Sequence, residues 1–166
     1  MEAVAKIPPS KRFYLDQTGL DNNETNPFAW GLKSERIFGL KKARRTQRLS
    51  IVAALNQKDI KAPFVFEGYC DTELMLTYTK EILTKDLRPG CTVIMDNASF
   101  HKSEKIRTLI EAAGCKLMFL PPYSPDFNPI EKKWFQIKNS MRKLISKYGG
   151  DLYRCADEVL GGRKTC

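Results

Sequence analysis

A chain of 166 residues, 42% of them hydrophobic, can build one well-formed core but not two full-sized domains. Its 28 basic residues outnumber 19 acidic ones, and the net charge of +9 favours a polyanionic partner, either nucleic acid or an anionic membrane surface. No apolar run approaches the roughly 20 residues needed to span a bilayer, and "MEAVAKIPPSKR" has no signal-peptide core, so no membrane attachment is expected.

After a lead-in over residues 1–10, "KRFYLDQ" (11–17) alternates Phe13 and Leu15 with Tyr14 and Asp16, which predicts a strand with two distinct faces. "NPFAWG" and "SERIFGLKKARRTQR" predict a second strand and a basic turn. "LSIVAALN" (49–56) is nearly continuous apolar sequence, the mark of a strand covered on both sides. From Asp71, a helix cap, "TELMLTYTKEIL" spaces Leu74, Tyr78, Ile82 and Leu83 as a helix does, and "LRPG" ends it. "CTVIMD" (91–96) reads as a fourth strand, "SEKIRTLIEAAG" as a helix from Ser103 to Gly114, and "CKLMFL" (115–120) as a fifth strand. Three early strands followed by alternating helix and strand predict an α/β mixed sheet with helices on its faces.

Prolines 121, 122, 125 and 129 exclude regular structure until Ile130, where a helix begins with Ile130, Trp134, Ile137, Met141 and Leu144 as its apolar stripe. Residues 148–166 form a C-terminal tail. The five cysteines, Cys70, Cys91, Cys115, Cys155 and Cys166, are widely spaced without a Cys-x-x-Cys pair, which argues against a zinc site or a disulfide framework. Cys91 and Cys115, at strand starts, read as small buried thiols.

Three carboxylates stand at element ends or faces: Asp16 on the first strand, Asp96 closing the fourth, and Glu131 in the first turn of the late helix. Trp134 and Phe135 beside it place Glu131 at the margin of the apolar stripe. If the first and fourth strands are neighbours, both aspartates meet at the sheet and the helix brings Glu131 over them. Three anions so close need divalent cations, and two ions about 4 Å apart activate an attacking oxygen and stabilise a departing one in phosphoryl transfer.

The local sequence is more specific than the spacing. "DNASFHK" followed by "LPPYSPDFNPIEKKW", with 34 residues between Asp96 and Glu131, resembles the catalytic domain of DDE transposases, in particular the mariner-type enzymes and the 630-type bacterial insertion sequences. "FYLDQTG", "WG" with "KSERIFG", and "FEGYCD" resemble successive landmarks of the same family, so that residues 11–147 form the catalytic domain. The resemblance implies a ribonuclease-H-like fold with a mixed five-stranded sheet and Mg²⁺ or Mn²⁺ as cofactor, as two ions. It also implies cut-and-paste DNA transposition, usually into TA sites, with Asp16, Asp96 and Glu131 as catalytic metal ligands. It further implies at least two catalytic domains in the active complex, and a helix-turn-helix half, separately encoded, for reading the transposon ends. Gln17 stands where many relatives have Glu. Such a protein is expected at the nucleoid in the cytoplasm of a bacterium, or in the nucleus of a eukaryote.

The remaining residues each have two readings. The run "KKARRTQR", with Lys41, Lys42, Arg44, Arg45 and Arg48, either grips DNA phosphates or faces solvent. Lys102, Lys132 and Lys133 flank the catalytic positions and favour the same polyanion. Asn97 caps the turn after its strand or touches the scissile phosphate. His101, the single histidine, makes a DNA-backbone or structural hydrogen bond in preference to ligating metal. Tyr123 and Trp30 stack on exposed bases, or Trp30 belongs to the core. Two rival functions stand beside the transposase: an inactive transposon remnant that only binds DNA non-specifically, and a metal-dependent nuclease for RNA–DNA hybrids.

Overall fold

The computed structural model describes residues 2–23, 47–98, 102–121 and 127–161. Strands β1 (Arg12–Asp21), β2 (Arg48–Asn56), β3 (Asp59–Glu67), β4 (Thr92–Met95) and β5 (Lys116–Phe119) form one sheet in the order β3-β2-β1-β4-β5. The first three pair antiparallel, whereas β4 runs parallel to both β1 and β5. The sheet is therefore mixed, and the first and fourth predicted strands are neighbours.

Side chains alternate across the sheet and build two cores. On β2, Val52 and Ala54 join one cluster, while Leu49, Ile51, Ala53 and Leu55 join the other, as the continuous apolar run predicts. The first cluster is covered by α2 (Thr72–Tyr78) and α4 (Glu104–Ala112). Asp71 caps α2 as expected, its Oδ1 accepting the Leu74 N–H at 2.8 Å. A π-turn over Thr79–Leu83 carries α2 into the short α3 (Thr84–Asp86), so that Tyr78, Thr79 and Leu83 all turn inward. Gly114 ends α4 at φ +71, with Pro89 so close that an added Cβ would lie 3.2 Å from the proline's own. Cys91 and Cys115 are buried, as read from sequence.

The second cluster lies under α5 (Ile130–Ile145) and α6 (Leu152–Leu160). Ile130, Trp134, Ile137 and Met141 are all buried, each large apolar side chain contributing roughly 1.5–3 kcal/mol. This anchorage fixes where α5 starts. Helix α6 occupies much of the stretch read as a tail: Asp151 caps it by accepting the Arg154 N–H, and Leu152, Cys155 and Ala156 are fully buried. At the other end, α1 (Glu2–Ala5) is tied down by Arg12, whose Nε donates to the Ile7 carbonyl at 2.7 Å and whose Nη2 donates to that of Ala5 at 3.0 Å. No helix among the described residues is long and apolar enough to cross a membrane.

Strand β3 was not legible in the sequence, because Pro63 and three charged residues interrupt its pattern. A bulge accommodates the proline: the register moves from Phe64↔Val52 to Lys61↔Ala54, leaving Ala62 and Pro63 opposite Ala53. Ala62 takes φ +49, a conformation costly for a residue with a Cβ. It is held there by Tyr78, whose hydroxyl donates to its carbonyl at 2.8 Å, and by Asp86, whose Oδ2 accepts its N–H at 2.7 Å. Burial keeps the Tyr78 phenol protonated well above its usual range. The strand predicted around residues 26–39 lies outside the described residues.

Tyr78→Phe leaves the buried Ala62 carbonyl without its donor and is expected to lower the unfolding free energy by about 1–3 kcal/mol. Urea denaturation measures it, and a loss below about 0.5 kcal/mol would show that the bulge does not depend on this bond.

Candidate active site

The parallel pairing of β1 with β4 ends at Leu15↔Met95. The next residue is an aspartate on both sides, Asp16 within β1 and Asp96 just past the end of β4, so the two emerge side by side. Both follow the parity of Tyr14 and Ile94 and therefore lie on the face covered by α5. Asp16 is buried, at 6% exposure. Its Oδ1 accepts the Gln17 N–H at 2.7 Å, and its Oδ2 accepts from Asn128 Nδ2 at 3.2 Å. Asp96 is half-buried, and its Oδ1 accepts the Ala98 N–H at 3.1 Å, so the carboxylate itself caps the turn for which Asn97 was a candidate. Glu131 occupies the first turn of α5, where the helix dipole favours an anion. It is exposed and not at a half-buried margin, because Trp134 turns fully inward while Phe135 stays 58% exposed.

Asp16 feels the charges of the other two carboxylates. The pKa of Asp16 is pushed up to about 7, first by burial and then by the charges of Glu131 and Asp96, against the Gln17 N–H that favours the carboxylate. The Trp134 indole also lies near enough to favour ionisation, although its Nε1 reaches no acceptor in hydrogen-bonding geometry.

The donor set is all hard oxygen, suited to Mg²⁺ or Mn²⁺ and unlike a zinc site. Among the described residues, no three His, Cys, Asp or Glu side chains close tightly enough to enclose an ion. An open site of this kind matches the habit of Mg²⁺, which takes one or two protein carboxylates and leaves its other positions to water and substrate phosphate. Two buried polar atoms beside Asp16, Asn128 Oδ1 and Trp134 Nε1, have no hydrogen-bond partner among the described residues, the pattern of a site built for groups beyond the protein itself. The residues therefore fit a hydrated divalent cation.

Lys132 is exposed beside Glu131 in a cleft that Asn128 also lines, Lys102 is exposed, and Lys133 is half-buried and lines a different cleft, with Asp59, Lys61 and Leu160. Arg48 is set apart. It pairs with Asp21 at 3.3 Å, lies 4.8 Å from the Tyr69 ring centre, and fills the space that a side chain at Gly19 would need. Lys41, Lys42, Arg44, Arg45, His101, Tyr123 and Trp30 lie outside the described residues. Asn128 is the participant that sequence reasoning passed over; its one signal was being the only amide in the proline-rich approach to Glu131.

One buried aspartate with two further carboxylates near it, at the edge of α5 on a five-stranded mixed sheet, is the arrangement to compare with known families. Residues 11–149 match the family described as DDE superfamily endonuclease, and the chain belongs to that family. Over 86 residues it is 39% identical to the uncharacterized protein y4pE/y4sA of Sinorhizobium fredii, covering 51% of this chain and 62% of that protein. Its fold is similar to that of the Mos1 mariner paired end complex with Mn, with a TM-score of 0.64 at 12% identity, covering 97% of this chain and 56% of that one. The simian T-cell lymphotropic virus intasome gives a TM-score of 0.61 at 12% identity over 92% of this chain and 47% of that one. The ribonuclease-H-like architecture is thus shared with a transposase, and the chain spans about half the length of these solved structures.

A raised carboxyl pKa costs the fold nothing below pH about 4, where Asp16 is protonated whether folded or not. The cost grows as the pH climbs from the unfolded value of 3.8 to about 7, and levels off above that at roughly 4 kcal/mol. Asp16→Asn removes it: the new Oδ1 still accepts from Gln17, and Asn128 can turn its amide to accept from the new NH₂. In metal-free buffer the variant is expected to match the parent protein near pH 4 and to exceed it at pH 7.5, by at most about 4 kcal/mol. Equal urea midpoints at both pH values would contradict the electrostatic account.

Proposed function

We propose that this domain is the catalytic part of a cut-and-paste transposase, which hydrolyses a DNA phosphodiester and then joins the freed 3′-hydroxyl to target DNA, usually at TA. The observation that carries the reading is the buried Asp16 flanked by the charges of Asp96 and Glu131 in a chain of the DDE superfamily endonuclease family. Asp16, Asp96 and Glu131 are assigned as the ligands of Mg²⁺ or Mn²⁺, as two ions. When bound, such ions activate the attacking oxygen and stabilise the leaving one in an in-line displacement.

The protein's own contribution is placement. Asp16 and Asp96 are held by strand register and by backbone N–H groups, and Glu131 by the buried stripe of α5. The exposed Lys132 and Lys102 and the half-buried Lys133 hold the DNA backbone near the site, and the run at Lys41, Lys42, Arg44 and Arg45 extends that grip. Phosphate contacts of this kind position DNA without reading it. Reading of the transposon ends falls to a helix-turn-helix half, and joining two ends requires two catalytic domains in the active complex. The protein works where the DNA is, at the nucleoid or in the nucleus. A complete carboxylate set favours this reading over a remnant that only binds DNA.

The test is nicking of supercoiled plasmid with Mg²⁺ or Mn²⁺. Asp96→Asn is expected to abolish cleavage while leaving DNA affinity unchanged or slightly higher, since one anion facing phosphate is gone; a purified variant that still nicks refutes the assignment.

Replacing Lys41, Lys42, Arg44 and Arg45 by Ala is expected to weaken binding to all DNA sequences alike. Each lost phosphate contact should reduce the slope of log affinity against log salt by roughly one. An unchanged slope would place the run in solvent.

A further inference from the structure

Asn128 occupies an unusual position between β1 and α5, two of the three elements that place the carboxylates. Its side-chain Nδ2 donates to Asp16 Oδ2 at 3.2 Å, and its backbone carbonyl accepts the Glu131 N–H at 3.1 Å. One residue thus touches the β1 ligand through its side chain and the start of α5 through its main chain. It is buried, at 6% exposure, although it belongs to a connecting segment, where polar residues ordinarily face water. Its Oδ1, fully buried, has no partner among the described residues.

A buried amide acceptor left unmatched costs on the order of 1–3 kcal/mol, so its retention calls for a donor. In the ionised form that would ligate a metal, Asp16 cannot supply one, because a carboxylate only accepts. Turning the amide over would set Oδ1 against Oδ2 of Asp16, two acceptors face to face. Trp134 Nε1, the neighbouring buried donor, is equally unpartnered and does not reach Oδ1. The missing donor is therefore an O–H that arrives with something else, and a hydrated divalent cation brings several.

We infer that Asn128 is a positioning residue for the cation site: Nδ2 fixes the orientation of the Asp16 carboxylate, and Oδ1 is kept free to accept from a water of the hydrated ion. The inference rests on the metal-ligand reading of Asp16, Asp96 and Glu131 and deepens it. Outer partners of this kind typically tune metal affinity by 10- to 100-fold. Because the contact to Glu131 runs through the main chain, substitution of the Asn128 side chain leaves the start of α5 in place. The role is separable from folding.

The experiment is Mn²⁺ titration followed by electron paramagnetic resonance, on the parent protein, Asn128→Leu, Asn128→Ala and Asp96→Asn, each checked for folding by circular dichroism. Leu keeps the branching and the number of side-chain heavy atoms of Asn without its polar groups, so a second folded variant is available if Ala loosens the segment. The expected result is a 10-fold or greater rise in the Mn²⁺ dissociation constant for the Asn128 variants, with metal-free DNA affinity unchanged and nicking partly recovered at high Mn²⁺. Parent-like Mn²⁺ binding by folded Asn128→Leu, while Asp96→Asn loses it, overturns the role of Asn128 and spares the metal site. Mn²⁺ binding that is the same in parent and Asp96→Asn overturns the metal site itself.

Discussion

The parallel pairing of β1 with β4 is the contact on which the candidate site depends. Its last pair, Leu15↔Met95, sets two aspartates beside each other on the α5 face. A shift of one residue in that register would send one carboxylate into the opposite core, since side chains alternate with period two. The register is itself secured from below: Phe13, Leu15, Val93 and Met95 all fall in the cluster under α2 and α4. The hydrophobic core on one face thus determines the electrostatics on the other.

Placing the carboxylates together works against stability in the metal-free protein. Asp16 is buried and next to two further anions, and its pKa, pushed up to about 7, is the measure of that conflict. The burial of Ile130, Trp134, Ile137 and Met141 outweighs it and holds α5 over β1 regardless of charge. What remains is a preorganised, under-compensated site, in which Asn128 Oδ1 and Trp134 Nε1 also lack partners among the described residues. Local deficits of this kind concentrate where a ligand completes the structure.

The basic excess is not uniform in role. Arg48 is engaged by Asp21 and Tyr69 beside Gly19, so it ties β1, β2 and the segment after β3 together, although it closes a run that reads as a DNA-contact patch. Lys132, by contrast, is exposed beside Glu131. Sequence clustering identifies charge, while only three-dimensional placement tells which charge is already committed inside the fold.

The sequence by itself determined the elements whose periodicity was undisturbed: β1, β2, β4, β5, α4 and α5, the Asp71 cap, and the family through "DNASFHK" and "LPPYSPDFNPIEKKW". It also singled out Asp16, Asp96 and Glu131, because charged residues at apolar element ends are conspicuous against burial. It did not show β3, whose Pro63 is tolerated only through a bulge held by Tyr78 of α2 and Asp86 of α3, nor α6, a short helix stabilised by docking against α5. Nor did it show Asn128. Long-range partners decided all three, and a linear pattern carries no record of contacts between residues as far apart as Asp16 and Asn128.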